Sequence, residues 1–340
     1  MSLSLNKNDV INSNIQFYYS TKDLEYDANG QKGLAVSSYI GPIDTQFLEK
    51  DSEHLVQLFG FGWFFIGYLA ISILIALIWL VFFKRVNLKN SLKFIFNKNI
   101  WFSSSSKADF FVFLINRIIS ISISPVLITQ LVIATAIFYW LHEISWLSSG
   151  SFQNTPVQIV VFLFTLFIFL LDDFSKYWVH RWMHKWPILW ALHKVHHSAE
   201  VLTPMTVYRT HPLEGIVFTL RGTFTQGVSI STFIFFFGNN VDLFTVLGAN
   251  VLLFLFNTAG SNLRHSHIGI RYWSWLEYIL ISPAQHQLHH SVAHRHHDKN
   301  FGAALAIWDY IFGSLHHSVE IEELKLGIET KEQDLSLIHI

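Results

Sequence analysis

Three histidine clusters in the second half of the chain have the spacing of metal ligands. The first spans His180–His184 as H-R-W-M-H, the second His193–His197 as H-K-V-H-H, and the third His286–His290 as H-Q-L-H-H. On a helix, residues three and four positions apart share a face, so each cluster projects its imidazoles to one side. The clusters supply these imidazoles: His180, His184, His193, His196, His197, His286, His289 and His290.

So many imidazoles exceed what one ion binds, because a first-row metal takes about four to six ligands. If the clusters converge, they hold two ions. A structural zinc site closes with four ligands, so two ions surrounded by this much imidazole indicate a catalytic centre. The alternative is a set of surface or core histidines that lie close together without binding a metal. The repeated H-x-x-H-H pattern disfavours that alternative.

The composition is that of a membrane protein. Of the 340 residues, 51% are hydrophobic and only 14% are charged, whereas about a quarter are charged in soluble domains. The formal net charge of −1 gives no indication of a nucleic-acid partner. The absence of cysteine excludes disulfides, thiolate zinc sites, iron–sulfur clusters and cysteine nucleophiles.

The apolar runs predict about five transmembrane helices: an N-terminal span and two hairpins. The first run, Leu55–Phe83, is followed by a basic segment, so we expect that segment in the cytoplasm and the N-terminus outside. The next run, about Phe110 to Leu141, contains Arg117 and Pro125, so its first half is expected at the membrane interface. The predicted later spans are Val126–Leu141, Val157–Leu171, Ile216–Phe237 and Val241–Phe256.

This count puts every histidine cluster on the cytoplasmic side. The predicted fold is therefore an all-α integral membrane protein whose cytoplasmic helical cap holds a histidine-rich di-metal centre. We expect a polar N-terminal arm at 1–54, a transmembrane helix with a basic cytoplasmic loop at 55–109, the catalytic membrane domain at 110–317, and a peripheral tail at 318–340.

Five motifs occur in order between about Leu171 and Gly313: H-R-W-M-H, L-W-A-L-H-K-V-H-H-S, T-H-P-L-E, S-P-A-Q-H-Q-L-H-H-S and N-F-G-A-A-L-A-I-W-D-Y-I-F-G. Through them the chain resembles the fatty acid hydroxylase superfamily and, within it, the bacterial proteins called the sterol desaturase family. That resemblance implies an integral membrane di-iron enzyme, which uses dioxygen and two electrons to hydroxylate or desaturate a lipid.

The resemblance carries the eight clustered histidines over as iron ligands and adds His265. A histidine also follows at position 267, where family members often have asparagine, so the choice between the two stays open and His265 is favoured. His211, in T-H-P-L-E, is the tenth candidate. Its alternative role is a helix-start residue bonded to Glu214.

Ligating imidazoles usually donate their second N–H to a carboxylate or a carbonyl. Glu214 and Asp309 are the acids predicted to orient ligands in this way, although Asp309 could instead cap or salt-bridge a helix. Zinc has no redox chemistry, so the choice of two iron ions rests on the resemblance. His294, His296 and His297 are interpreted mainly as a solvated basic face.

No haem-binding or flavin segment is recognisable, so we expect a separate electron-transfer protein. The substrate expected first is an unspecified membrane lipid and second a sterol. Two other functions compete: a histidine-rich metal carrier or transporter, and a non-catalytic lipid-binding relative. A transporter would place ionisable ligands within its spans, which here are nearly free of them. The complete ligand set disfavours a non-catalytic relative.

Overall fold

The computed structural model describes residues 61–123, 130–238, 241, 263–318 and 324–328. Within these ranges the chain is helical, and the only β pairing consists of two isolated bridges, Leu280 with Leu305 and Ser291 with Leu326. The all-α class is therefore confirmed for this part of the chain. The predicted N-terminal arm, most of the predicted span Val241–Phe256 and most of the C-terminal tail lie outside the described residues.

The N-terminal helices are α1 (Phe61–Ile78), which continues as a π-helical turn over Trp79–Phe83, α2 (Leu88–Ile95), α3 (Lys98–Trp101), α4 (Ser104–Ile123) and α5 (Gln130–Glu143). The helices that follow are α6 (Val157–Lys185), α7 (Pro187–His197), α8 (Pro212–Phe237), α9 (Pro283–His289) and α10 (Ile307–Ile311). A 3₁₀ turn, Pro204–Tyr208, lies between α7 and α8.

Among the described helices, only α6 is long and apolar enough to cross a membrane, and Leu69–Phe83 is a shorter apolar helix. The apolar half of α6 continues without a break into the turns that carry His180 and His184. Trp186 then has an extended backbone and Pro187 occupies the first position of α7. A residue before proline disfavours the helical conformation, whereas proline suits a helix start, so the chain ends one helix and begins the next here.

Helix α4 packs against the turn 204–208, and α5 packs against α8. Asn116 of α4 donates a 2.7 Å hydrogen bond to the carbonyl of Thr210. Further along, a Cβ added at Gly227 of α8 would lie 2.7 Å from a methyl carbon of Ile133 on α5. The absence of a side chain at this glycine therefore allows α5 and α8 to pack closely.

Candidate metal centre

Nine of the ten predicted ligands come together in two adjoining groups. The first group contains His180, His184, His193, His197 and His289; the second contains His196, His265, His286 and His290. Within each group the candidate ligand atoms lie within 4.8 Å of one another. The groups meet where the rings of His197 and His290 stack, with centroids 4.4 Å apart. Each group could hold one metal ion.

Adjacent histidines on α7 belong to different groups. His196 lies in the second group and His197 in the first, because neighbouring residues on a helix point about 100° apart. The same division occurs at the end of α9, where His289 joins the first group and His290 the second. The H-x-x-H-H pattern therefore supplies ligands to both groups from one helix, and this links the two candidate sites rigidly.

Two imidazoles of the first group are oriented by backbone carbonyls. The Nδ1 of His180 donates to the carbonyl of Phe301 at 2.8 Å. The Nδ1 of His289 donates to the carbonyl of Lys299 at 2.7 Å. A hydrogen bond from Nδ1 fixes the tautomer and leaves Nε2 with a lone pair for a metal. Both rings are therefore held in a form that can bind a metal.

A carboxylate orients a third imidazole of the first group, as the sequence predicted for Glu214. The Nδ1 of His193 lies 2.7 Å from Oε1 of Glu214, and both side chains are buried. Burial raises the pKa of Glu214 to about 7 and lowers the pKa of His193 to about 3. Desolvation is the main cause of both shifts, and it favours an imidazole that is neutral at Nε2 and hydrogen-bonded at Nδ1.

The second group is arranged differently. The Nε2 atom of His265 lies 3.0 Å from that of His196 and 2.9 Å from that of His286. The ligand atoms of this group lie within 4.8 Å of one another, and the ring centroid of His290 is 4.7 Å from that of His196. In the described part of the chain, Nδ1 of His286 and Nδ1 of His290 are buried without a hydrogen-bond partner.

The imidazole nitrogens of the two groups are suited to bind a metal that takes neutral nitrogen ligands. Buried Nε2 atoms of His184, His193, His197 and His289 have no partner among the described residues. Unpaired buried polar atoms are rare and costly, so a group of them that converges indicates a ligand. Desolvation lowers the pKa of the clustered imidazoles, which keeps them in the neutral form that binds metals. This applies to His180, His184, His193, His196, His197, His286, His289 and His290.

Among the described residues, the hydrogen-bond partners of Asp309 include no imidazole, so the prediction that it orients a ligand directly is corrected. Its carboxylate accepts the backbone N–H groups of Phe301 and Gly302 at 2.8 and 2.7 Å, and the hydroxyl of Ser314 at 2.6 Å. Asp309 thereby fixes the peptide whose carbonyl orients His180. We refer to residues 299–305 as the acceptor loop, because their carbonyls accept from side chains around the two histidine groups.

Asp173 holds the other end of the acceptor loop, although it was not among the acids predicted to orient ligands. It accepts the backbone N–H groups of Ala304 and Leu305 at 2.8 and 3.0 Å. On the opposite side of the same peptide, the carbonyl of Ala303 accepts from the buried guanidinium of Arg264. The position of Asp173, two residues after the apolar run of α6 and seven before His180, was the available signal.

An ion pair that was also missed from the sequence fixes the end of α7. Arg209 donates to the carbonyl of Val195 at 3.2 Å and forms an ion pair with Asp109 of α4 at 3.1 Å. The last carbonyls of a helix have no partner within the helix, so a cationic side chain there stabilises its final turn. That turn carries His196 and His197.

His211 is in neither group. It is the N-cap of α8, where its Nδ1 accepts the backbone N–H of Leu213 at 3.2 Å. His211 is therefore a helix-start residue, which was the alternative to a ligand role. Its bonded partner is the backbone N–H of Leu213, where the side chain of Glu214 was expected. His267 is also outside both groups and donates through Nε2 to the carbonyl of Phe94 at 3.1 Å. The structure thus brings His265, the favoured candidate, into the centre.

The histidines after α9 are also separate from both groups. His294 and His297 are exposed, as expected for a solvated face. His296 differs from that expectation, because it is 1% exposed and its ring lies 5.3 Å from that of His316.

The comparisons with known proteins agree with this site. Residues 165–314 match the family model described as fatty acid hydroxylase. The chain is 31% identical to human alkylglycerol monooxygenase over 160 residues, which is 47% of this chain and 32% of that protein. It is 30% identical to a Delta(7)-sterol 5(6)-desaturase of Aspergillus fumigatus, over 47% of this chain and 42% of that protein.

Mouse lathosterol oxidase is 24% identical over 51% of each chain. The alignments thus cover between about a third and about half of the length of these relatives. No solved structure matches the chain. All these relatives are eukaryotic, so the bacterial sterol desaturase branch stays a prediction. Residues 165–314, which contain both histidine groups, are therefore similar to the fatty acid hydroxylase family, as the motifs predicted.

Proposed function

We propose that the protein is a membrane-bound di-iron oxygenase that hydroxylates or desaturates a lipid with dioxygen and electrons from a separate protein. One observation carries this proposal: nine buried or half-buried imidazoles form two adjoining groups, and three members of the first group have a bonded second nitrogen. A transport site for a single ion needs no such pair of sites, whereas oxidation of a C–H bond needs a redox-active metal centre.

The metals are proposed to be two iron ions, with His180, His184, His193, His197 and His289 holding one and His196, His265, His286 and His290 holding the other. Imidazole alone suits iron, copper and zinc. Zinc lacks redox chemistry, and the superfamily favours iron. Iron bound there would supply the electron transfers that activate dioxygen and oxidise an unactivated C–H bond.

The residues around the centre have separate roles in this proposal. Glu214 and the carbonyls of Lys299 and Phe301 hold the first-group imidazoles in the tautomer that binds metal. Asp309 and Asp173 hold the acceptor loop, so that those carbonyls stay aimed at the imidazoles. Burial of the two groups excludes water, which limits loss of the oxidant to side reactions.

The membrane arrangement is also a proposal: about five spans, with the histidine groups in a cytoplasmic cap. The apolar half of α6 supports it, because large apolar side chains there are exposed, including Phe162 at 65%. Soluble monomers rarely leave such a surface open. We propose that residues 110–317 form the catalytic membrane domain, preceded by an arm at 1–54 and a first span with its basic loop at 55–109, and followed by a peripheral tail at 318–340.

The substrate is proposed to be a membrane lipid. The centre lies just beyond the apolar run of α6, so it can reach a molecule that enters from the cytoplasmic leaflet. The names of the relatives include sterol desaturases and an alkylglycerol monooxygenase, which are consistent with either a polycyclic or a long-chain lipid. We rank an unspecified membrane lipid first and a sterol second.

The test uses membranes that contain the protein, together with labelled dioxygen, a reducing system and a total lipid extract. The expected product is a lipid with one added, labelled oxygen atom or with two fewer hydrogens. His196→Ala membranes should not form it, because the second group then loses a ligand; His267→Ala, which changes an imidazole outside both groups, is the matched control. Equal product from His196→Ala, or conversion of water-soluble compounds alone, would refute the proposal.

A further inference from the structure

Helix α4 has an apolar face that no described part of the chain covers. Its exposed side chains include Phe111 at 65% and Ile118 at 60% exposure. The whole set is Phe110, Phe111, Leu114, Ile115 and Ile118. These positions follow the helical repeat and occupy about 140° of its circumference. A face of this kind in water would be an aggregation site or an interaction site.

The opposite face of α4 is polar and is bonded to residues 206–210, the segment between α7 and α8. Asp109 accepts from Thr206 at 2.7 Å and forms the ion pair with Arg209. Asn116, two turns later, donates to the carbonyl of Thr210. The polar face therefore lies at the level of residues 203–210, before the apolar run of α8 begins. Residues 104–118 consequently lie beside the segment that joins the ligand helix α7 to α8.

The segment from Lys84 to Ile118 is strongly basic. It contains seven basic residues, Lys84, Arg85, Lys89, Lys93, Lys98, Lys107 and Arg117, and a single acid, Asp109. That acid is buried and paired with Arg209, so it does not offset the positive charge at the surface. Exposed apolar side chains alternate with the lysines here too, among them Leu88 and Leu92 of α2.

We propose that residues 84–118, which we call the basic platform, lie in the headgroup region of an anionic membrane leaflet. Apolar side chains interleaved with lysines are what an interfacial helix requires: the apolar groups enter the acyl boundary and the ammonium groups contact lipid phosphates. The inference rests on the membrane arrangement of the proposed function, but not on its chemistry. It places the cap against the leaflet from which the lipid substrate enters.

Two other arrangements fit the observations less well. If α4 crossed the bilayer, Lys107, Asp109 and Arg117 would be within a 20-residue helix, and charges at that depth are costly. If an acidic protein covered the basic platform, it would have to present both acidic groups for the lysines and a matching apolar surface for α4, whereas one lipid leaflet offers phosphates and acyl chains together. The large aromatic and aliphatic side chains on α4 favour lipid.

The test takes advantage of a chain without cysteine. Single-cysteine variants Phe111→Cys and Leu92→Cys are labelled with an environment-sensitive fluorophore and reconstituted in vesicles of phosphatidylcholine, with and without phosphatidylglycerol. Quenching is measured with lipids that carry a nitroxide at the headgroup or deep in the acyl chain, and with aqueous iodide. Phe162→Cys on α6 is the reference for depth, and Lys185→Cys is the aqueous reference.

Both platform labels should be quenched severalfold more by the headgroup nitroxide than the Lys185→Cys label. This quenching should increase with phosphatidylglycerol, and replacing Lys89, Lys93, Lys98 and Lys107 by glutamine should abolish the increase. Deep quenching of the Phe111→Cys label equal to that of Phe162→Cys would show that α4 spans, and quenching by iodide alone would show that it faces water or protein. Either result overturns the inference, provided that the Phe162→Cys label is quenched by the deep nitroxide. If the Phe162→Cys label is not quenched by the deep nitroxide, the membrane arrangement itself is wrong.

Discussion

The two histidine groups differ in how the protein holds their rings. In the first group, three imidazoles donate Nδ1–H to fixed acceptors: two backbone carbonyls and Glu214. In the second group, Nδ1 of His286 and Nδ1 of His290 find no acceptor in the described part of the chain. Such outer contacts orient ligands and raise their basicity, and their loss typically costs about 10–100-fold in metal affinity. The first group should therefore bind its ion more tightly.

The largest expected effect comes from removing one ligand of either group. His289→Ala and His286→Ala each remove an imidazole from an otherwise similar set, in the first and second group respectively. We expect each variant to lose activity and to fall from about two ions to about one ion per chain, because affinity depends on the full set of ligands. Elemental analysis of purified protein checks this. Unchanged metal content in both variants would contradict the two-site interpretation.

Stepwise removal of metal should separate the two groups without any mutation. As a chelator is added, we expect the ion of the second group to leave first, at a chelator concentration about 10–100-fold lower than the first-group ion requires. The measurement is metal retained per chain against chelator concentration. With His286→Ala, the early step should be missing. A single step that releases both ions together would show that the hydrogen bonds of the first group do not distinguish the sites.

Replacing Glu214 should reduce the difference in metal affinity between the two groups. Glu214→Gln retains an acceptor for His193 but removes the charge, whereas Glu214→Ala removes both. We expect Glu214→Ala to lower the affinity of the first group by about 10–100-fold, and Glu214→Gln to lower it less. The early chelation step of the second group should not move. If both steps shift equally, Glu214 acts on the whole cap and does not act through His193.

The sequence was sufficient for the parts of the site that depend on local geometry. Helical spacing places His180 and His184 on one face of α6, and the same rule applies to α7 and α9, so the clusters could be recognised without a structure. The resemblance to the superfamily followed from the same motifs, and the family model agrees with it over residues 165–314. The five spans stay a prediction, because only part of the predicted bundle belongs to the described residues.

The contacts that cross the chain could not be predicted in the same way. Asp309 lies in the motif that closes the family resemblance, yet its partners are backbone N–H groups of the acceptor loop, seven and eight residues before it. Side-chain spacing gives no information about which peptide group a carboxylate will accept from. The choice between His265 and His267 met the same obstacle, since their segment is not a regular helix and two-residue spacing does not assign a face.

The smallest effect on the metal is expected at His211, the candidate ligand that lies outside both groups. His211→Ala should leave metal content unchanged and cost about 0.5–1 kcal/mol of stability, the low end for loss of an N-cap. His211→Asn is the matched control, because asparagine is a good N-cap without an imidazole. The midpoint temperature of thermal unfolding should therefore be lower in His211→Ala and should return to the wild-type value in His211→Asn. If instead both variants lost metal, an imidazole at this position would be needed by the centre, and the division into groups of five and four histidines would be wrong.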